Sequence, residues 1–339
     1  MNQKEQPIIG ESPAFLEVLE EVSRAAALNR PVLIVGERGT GKEVVAERLH
    51  FLSSRWDGPL VRVNCAAISE SLLESELFGH EAGAFTDASR QRKGRFEQAD
   101  GGSLFLDELA STSMAVQEKI LRVIEYGRFE RLGSSRAVEI DVRIIGASNI
   151  DLPTLVDEGQ FRADLLDRLA FDVITLPPLR ERREDMLPLA EHFAMRMSHE
   201  LGRELFAGFT PQAVEAIYQH SWPGNVRELK NTIERAVYRL EDAEEPVSSL
   251  QFDPFDSPFR PGQGRQAATS RELPATPDPD RPFNLRRHLD LEERRMAMTA
   301  LQRCDGHQGK AARLLGLTYD QLRGILRKHD LAGKRSDQD

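Results

Sequence analysis

Cysteine is scarce in this 339-residue chain: there are two, Cys65 and Cys304. Their separation matches no metal-ligand or disulfide spacing, which excludes a disulfide-stapled or zinc-ribbon scaffold and fits a reducing cytosol. Long apolar runs are also missing. None approaches the ~20 residues that a membrane-spanning helix needs. Met1–Gly10 has no apolar h-region, so no signal peptide is expected and a cytoplasmic location is. What remains is an ordinary globular composition, 40% hydrophobic and 29% charged, in a length that suits two or three domains of ~150 residues. The net charge of −10 is unevenly spread. Residues 285–339 hold 12 Lys/Arg against 8 Asp/Glu, a net +4 that leaves −14 elsewhere. Such asymmetry points to nucleic acid at one end only.

The most informative stretch is Gly36-Glu37-Arg38-Gly39-Thr40-Gly41-Lys42-Glu43. It follows the apolar run Val32–Val35 and precedes a helix-like segment. Strand, glycine-rich turn and helix is the context in which backbone amides and a helix N-terminus cradle phosphate. Lys42 would reach the β- and γ-phosphates. Glu43 stands where Ser or Thr usually supplies a hydroxyl to Mg²⁺. A helix with a Ser12-Pro13 start and apolar residues Phe15, Leu16, Val18, Leu19 and Val22 precedes this motif. A second strand, Leu60–Asn64, ends in a polar residue near the expected nucleotide. Between them lies a loop with Trp56, which either packs on its own domain or anchors a partner. Ser69–Phe78 reads as a helix with Ser71 and Glu74 as a capping box.

Ser103–Glu108 is an apolar strand ending in two carboxylates, Asp107 and Glu108. With alternating directions, one can hold a metal ion while the other orients a water. The next helix, 113–126, carries Met114, Val116, Ile120, Leu121 and Ile124. A strand over Val138–Ala147 follows, ending at Ser148-Asn149, where ligands bind in open α/β sheets. Arg162 and Arg168 lie six apart on a short helix. They serve salt bridges with Asp164 and Asp167, or reach a neighbouring subunit's γ-phosphate, or both. Gly83-Ala84-Phe85-Thr86-Asp87-Ala88 sets one aromatic among small residues, as a surface loop presenting Phe85 would.

After the last strand, Phe171–Leu176, the chain is helical to about Leu240. Arg227 falls in the first turn of a helix, where a cation is disfavoured unless an anion is near. Residues 246–283 hold eight of the 18 prolines and read as a linker. Beyond it, Leu285, Leu289, Leu291, Met296, Met298 and Leu301 suggest a dimerising helix. Gly309–Thr318 and Tyr319–His329 then form a helix-turn-helix pattern or a plain helical hairpin. In the former, Arg323, Arg327 and Lys328 make the exposed side of the second helix basic, with Thr318, Tyr319 and Gln321 at the end that meets DNA.

Together these motifs resemble the bacterial enhancer-binding activators of sigma-54 RNA polymerase, a branch of the AAA+ ATPases. The strongest likeness is that of residues 83–88 to the family's GAFTGA loop. Glu74–His80 and Phe161–Leu169 are also similar. Arg55-Trp56 and the terminal Leu315–Tyr319 are similar to the branch that controls phage shock, an envelope-stress response. The resemblance implies an α/β P-loop ATPase with a parallel sheet over residues 1–178 and an α-helical lid over 179–245. A flexible linker over 246–284 and a factor-for-inversion-like all-α DNA-binding domain over 285–339 would follow. It implies ATP and Mg²⁺ as cofactors. Gly36, Glu37, Arg38, Gly39, Thr40, Gly41, Lys42 and Glu43 would form Walker A, with Asp107 on the metal and Glu108 positioning the attacking water. Asn64 would be the switch that holds Glu108, Ser148-Asn149 sensor I, and Arg227 sensor II. Arg162 and Arg168 would be trans-acting fingers, which requires a ring, most simply a hexamer, with dimers when inactive. Gly83, Ala84, Phe85, Thr86, Asp87 and Ala88 would touch sigma-54, with Asp87 replacing a family glycine. No sensory domain is expected before the motor. Input would come from an inhibitory protein acting in trans, with Trp56 in its contact. An AAA+ unfoldase subunit would share the ATPase motifs but gives no reason for residues 309–329. A repressor with a degenerate ATPase is opposed by the intact Asp107, Glu108, Arg162 and Arg168.

Overall fold

The first helix starts as its sequence directs. Ser12 caps it by accepting from the Phe15 amide, and Pro13 opens the helix Pro13–Ala26. Its buried face is Phe15, Val18, Val22, Ala25 and Ala26, whereas Leu16, expected on that face, is exposed. The computed structural model describes residues 8–84, 90–242, 244–257, 260, 285–304 and 307–329. It divides into two units, 1–254 and 255–339.

In the first unit, five parallel strands form one sheet in the order 60–64, 103–107, 143–148, 32–35, 173–175. Alternate residues along a strand feed opposite faces. Leu33, Leu104, Leu106 and Ile144 enter one core, and Val32, Ile34, Phe105 and Ile145 enter the other. Both faces are covered, which is why these strands read as continuous apolar runs. The phosphate-loop strand Val32–Val35 lies inside the sheet, so its carboxyl end opens beside those of its neighbours, where such sheets bind ligands.

Some local expectations shift. The segment Val138–Ala147 is not one strand. Ala137–Glu139 pairs with Arg128–Glu130 in a separate antiparallel ribbon, and Arg143–Ser148 joins the main sheet. The break falls at Asp141, whose carbonyl accepts from Gly101 and Arg55 and whose amide donates to Asp100. The helix over Ser69–Phe78 begins at Glu70 with Ser69, not Ser71, as its cap, and Glu74 pairs with Lys119 at 2.7 Å. In the helix Met114–Tyr126 the buried stripe takes Gln117 and Val123 in place of Met114, which is exposed.

Three helices, Met186–Glu200, Pro211–Gln219 and Asn225–Tyr238, build the lid around fully buried Trp222. The lid does not stop at 245. Val247 is 1% exposed, its backbone pairs across to Gly208 and Thr210, and Leu250 and Phe252 pack on the same core. The expected linker therefore begins too early, because proline content hides three apolar residues that close the lid. The linker residues 261–284 lie outside the described residues.

The second unit contains the helices Leu285–Arg303, Gln308–Leu314 and Tyr319–Lys328, packed through Ala297, Ala300, Ala311, Ala312, Leu322 and Leu326. Among the described residues no helix is long and apolar enough to cross a membrane.

Candidate functional site

Gly39 and Gly41 have φ of +81° and +104°, a region that side chains disfavour. A Cβ on Gly39 would also stand 2.3 Å from the Gly224 carbonyl oxygen. Lid and phosphate loop thus meet backbone to backbone. The helix Lys42–Phe51 begins after Gly41 with no side-chain cap, so its first-turn amides are available to an anion. Lys42 is buried, and its ammonium donates to the carbonyls of Gly36 at 2.8 Å and Glu37 at 3.0 Å. Burial pushes its pKa down, against the pull of Asp107 and Glu108. A cation held by neutral carbonyls in a cleft suits a phosphate.

Across the floor, Asp107 ends the strand Ser103–Asp107. Glu108 lies beyond it at φ +52°, a left-handed conformation that costs a non-glycine residue about 1 kcal/mol or more. The aim of Glu108 is therefore set by this turn and not by strand alternation. Its amide donates to Asp107 Oδ1 at 3.0 Å. Asn64 pairs in register with Asp107 on the adjacent strand. Its amide donates to Asp107 Oδ2 at 3.3 Å, and its oxygen accepts from the Ala66 and Ala67 amides. The expected Asn64–Glu108 contact is thus an Asn64–Asp107 contact here. Ser148 is buried and exchanges hydrogen bonds with the Ile150 backbone, so of the Ser148-Asn149 pair only Asn149 lines the cleft. Glu43 faces Arg62 at 3.3 Å. Asp107 retains unshared lone pairs beside Lys42 and the loop, a donor set that fits a hard cation shared with phosphate and water.

The cleft has a volume of about 320 Å³, and Lys42, Asp107, Glu108, Asn149 and Arg227 all line it. Arg227 reaches it because Gly224 caps the helix Asn225–Tyr238, setting Arg227 in the first turn. Sequence reasoning gave Glu37 only a loop position. Its carboxylate binds Arg180 at 2.6 and 2.9 Å and the Asn225 amide at 3.1 Å. These partners, Arg180 first, hold its pKa down at about 2. Asn225, fully buried at φ +52°, also donates to the Arg38 carbonyl and accepts from the Leu179 amide. An apolar wall of Ile8, Ile9, Leu189 and Phe193, with His192 and Arg182, also lines the cleft, and no motif in the sequence marks any of them as site residues. The helical spacing of Leu189 and Phe193 marks core; only the packed lid shows that both also line the cleft.

Neither Arg162 nor Arg168 lines this cleft. Arg162 pairs with Asp164 at 2.7 Å, as expected, but Arg168 pairs with Glu125 at 3.0 Å and not with Asp167. Arg168 borders a separate cavity of about 580 Å³ beside Tyr126 and Phe171. Trp56 is 64% exposed. The loop bearing it is fixed by buried Arg55, which donates to Asn29 and Asp141. Of the 83–88 loop, Gly83 and Ala84 are described, with Gly83 at φ +84°; Phe85, Thr86, Asp87 and Ala88 lie outside the described residues.

In the second unit Thr318 and Gln321 form a reciprocal capping box at 3.3 and 2.9 Å. Gly316 takes the left-handed turn at φ +67°. Arg323 and Arg327 are exposed while Leu322 and Leu326 are buried. Tyr319, half exposed, donates to Gln308 at 3.3 Å. Lys328 is exposed as expected, but it is also engaged within the unit. It binds Asp290 at 2.6 Å and Glu293 at 2.7 Å, so its charge ties this helix to the first one.

Residues 8–175 match the Sigma-54 interaction domain, residues 180–258 the AAA+ ATPase lid domain, and residues 289–329 the bacterial regulatory protein, Fis family. The Psp operon transcriptional activator of Escherichia coli K12 is 53% identical over 98% of this chain and 100% of its own length. The Nif-specific regulatory protein of Azotobacter vinelandii is 44% identical over 94% of this chain, which spans 58% of that protein. Among solved structures, NtrX from Brucella abortus in complex with ATP is 32% identical with a TM-score of 0.68, matching 95% of this chain and 69% of that one. With an AAA+ motor, its lid and a Fis-type helix-turn-helix in order, the chain belongs to the sigma-54-dependent transcriptional activators.

Proposed function

We propose that this activator hydrolyses ATP between the subunits of a ring, most simply a hexamer, with dimers as the resting form. The work is spent on remodelling the closed sigma-54 polymerase complex to the open one. The observation that carries the reading is the convergence of Lys42, Asp107, Glu108 and Arg227 on one cleft while Arg168 stands outside it. Phosphates would lie along Gly36–Lys42, with the base against the Ile8–Ile9 wall. Mg²⁺ would be held by Asp107 with phosphate oxygens and water, neutralising charge on the β- and γ-phosphates. Glu108 orients the attacking water, and Asn64, through Asp107, sets the floor on which it acts. Asn149 and Arg227 contact the nucleotide from the strand end and the lid. Arg162 and Arg168 of a neighbouring subunit offset transition-state charge, a contribution of about 10³–10⁵ in kcat for arginine fingers.

Nucleotide state moves loop 83–88, whose Phe85 and Thr86 contact sigma-54. Enhancer DNA is bound by the 285–339 unit, with Thr318, Tyr319, Gln321, Arg323 and Arg327 at the surface. The 53% identity to the Psp operon activator supports control of a phage shock operon in the cytoplasm. An inhibitory phage shock protein would act in trans at Trp56, whose exposure leaves it open to a partner. The test is ATP-dependent transcription from a sigma-54 promoter in vitro. Thr86→Ala should hydrolyse ATP normally yet form no open complex, and normal transcription by that variant would reject the loop's role. Asp87→Gly, compared in the same assay, reads the effect of the charged loop tip.

A further inference from the structure

A buried charged pair next to the cleft is used by none of the motifs above. Arg182 is 2% exposed and Asp185 is fully buried. Arg182 Nη2 donates to the Thr40 carbonyl at 3.1 Å, and its guanidinium stands 4.7 Å from the Phe15 ring centre. Its Nε is sealed from solvent with no hydrogen-bond partner, 3.9 Å from Asp185 Oδ2. Asp185 accepts from the Glu11 and Ser12 amides, each at 2.7 Å, and from Ser12 Oγ at 2.8 Å. Ser12 caps the first helix, and Ile8 and Ile9 just before it line the cleft with Phe15, Thr40 and Arg182. One pair thus grips both ends of the pocket. Asp185 holds the wall where a base would rest, and Arg182 holds the loop where phosphates would rest. A buried ion pair that leaves a donor unmatched is a poor device for stability alone, since apolar residues of similar volume often do as well or better.

We propose that Arg182 and Asp185 are positioning residues that set the spacing between the base-side wall and the phosphate loop. The proposal rests on reading the cleft as the ATP site. It makes a distinction that general destabilisation does not. ATP engages both walls, whereas inorganic tripolyphosphate engages only the loop. In the full-length chain, Asp185→Asn should weaken ATP binding about tenfold while tripolyphosphate affinity stays within about twofold. Arg182→Gln should weaken both, and Arg182→Lys should recover part of the loss. The ATP KM should rise more than kcat falls. Should Asp185→Asn not fold, Ser12→Ala keeps the charge, removes one of the three hydrogen bonds to Asp185 together with the cap of the first helix, and should give the same selective pattern at about threefold. Equal losses for ATP and tripolyphosphate in these base-side variants, or unchanged ATP affinity, would overturn the proposal. Lys42→Ala separates the two readings. If Lys42→Ala still binds ATP at full affinity, the site assignment fails. If it abolishes binding while Asp185→Asn binds ATP normally, only the positioning role fails.

Discussion

Glu37 illustrates how a residue inside a recognised motif can do work the motif does not describe. In the phosphate-loop pattern it is a variable position. In the fold it is the contact through which the loop holds Arg180 and Asn225 of the lid. Its carboxyl is held near a pKa of about 2 from the ordinary 4.5. A depressed acid stabilises the fold fully above its unfolded value and loses that contribution as pH falls through the folded value. The stability gap between the native chain and Glu37→Gln should therefore be constant from pH 7 down to about 4.5 and close between 4.5 and about 2. Because the group is substantially exposed, the gap should be about 1 kcal/mol or less. Urea unfolding at a series of pH values measures it; a gap that opened as pH fell would contradict the assignment. Lys42 and Asp107 were legible because phosphate chemistry places a lysine in the glycine loop and a carboxylate at a strand end, and Arg227 because a first-turn cation calls for an anion and the family resemblance gives it a role. Glu37, Asn225, Arg182 and Asp185 were not, because their partners lie up to 188 residues away and only packing brings them together.

At the scale of elements, the sequence pattern located nearly every core strand and helix, since apolar runs and capping residues are local signals. It erred where an element's end is set by a distant partner. Asp141, drawn off by Arg55 and Asp100, splits an apolar run in two. Val247 and Phe252 return to the lid after a proline. A chain cut at 245 should accordingly be less stable than one cut at 254, by about 3 kcal/mol of lost apolar burial. That corresponds to a Tm lower by roughly 10 °C, readable by calorimetry; equal Tm values would place the segment outside the lid's cooperative unit. The last helix gives a parallel case. Spacing counted Arg323, Arg327 and Lys328 alike as DNA-facing, but Lys328 is engaged by Asp290 and Glu293. Arg327→Ala should lower the slope of log affinity against log salt for enhancer DNA by about one. Lys328→Ala should leave that slope unchanged. Equal slope losses for both would return Lys328 to the DNA surface.

For the whole molecule, the proposed mechanism has the catalytic site completed by a second subunit. The geometry behind it is simple: the cleft gathers Lys42, Asp107, Glu108 and Arg227, while Arg168 lies on a different cavity of the same unit. In the proposed ring a single chain would offer each half of a site to a different neighbour. Lys42→Ala loses the phosphate half and Arg168→Ala the finger half, so each variant alone should be without ATPase activity while still binding enhancer DNA. In a mixed ring, some interfaces join an intact cleft from the Arg168→Ala chain to an intact finger from the Lys42→Ala chain. The decisive measurement is the ATPase rate of the two variants mixed in equal amounts. The mixture should regain activity that neither variant has alone; a mixture that assembles into rings yet stays inactive would rule out a site shared between subunits.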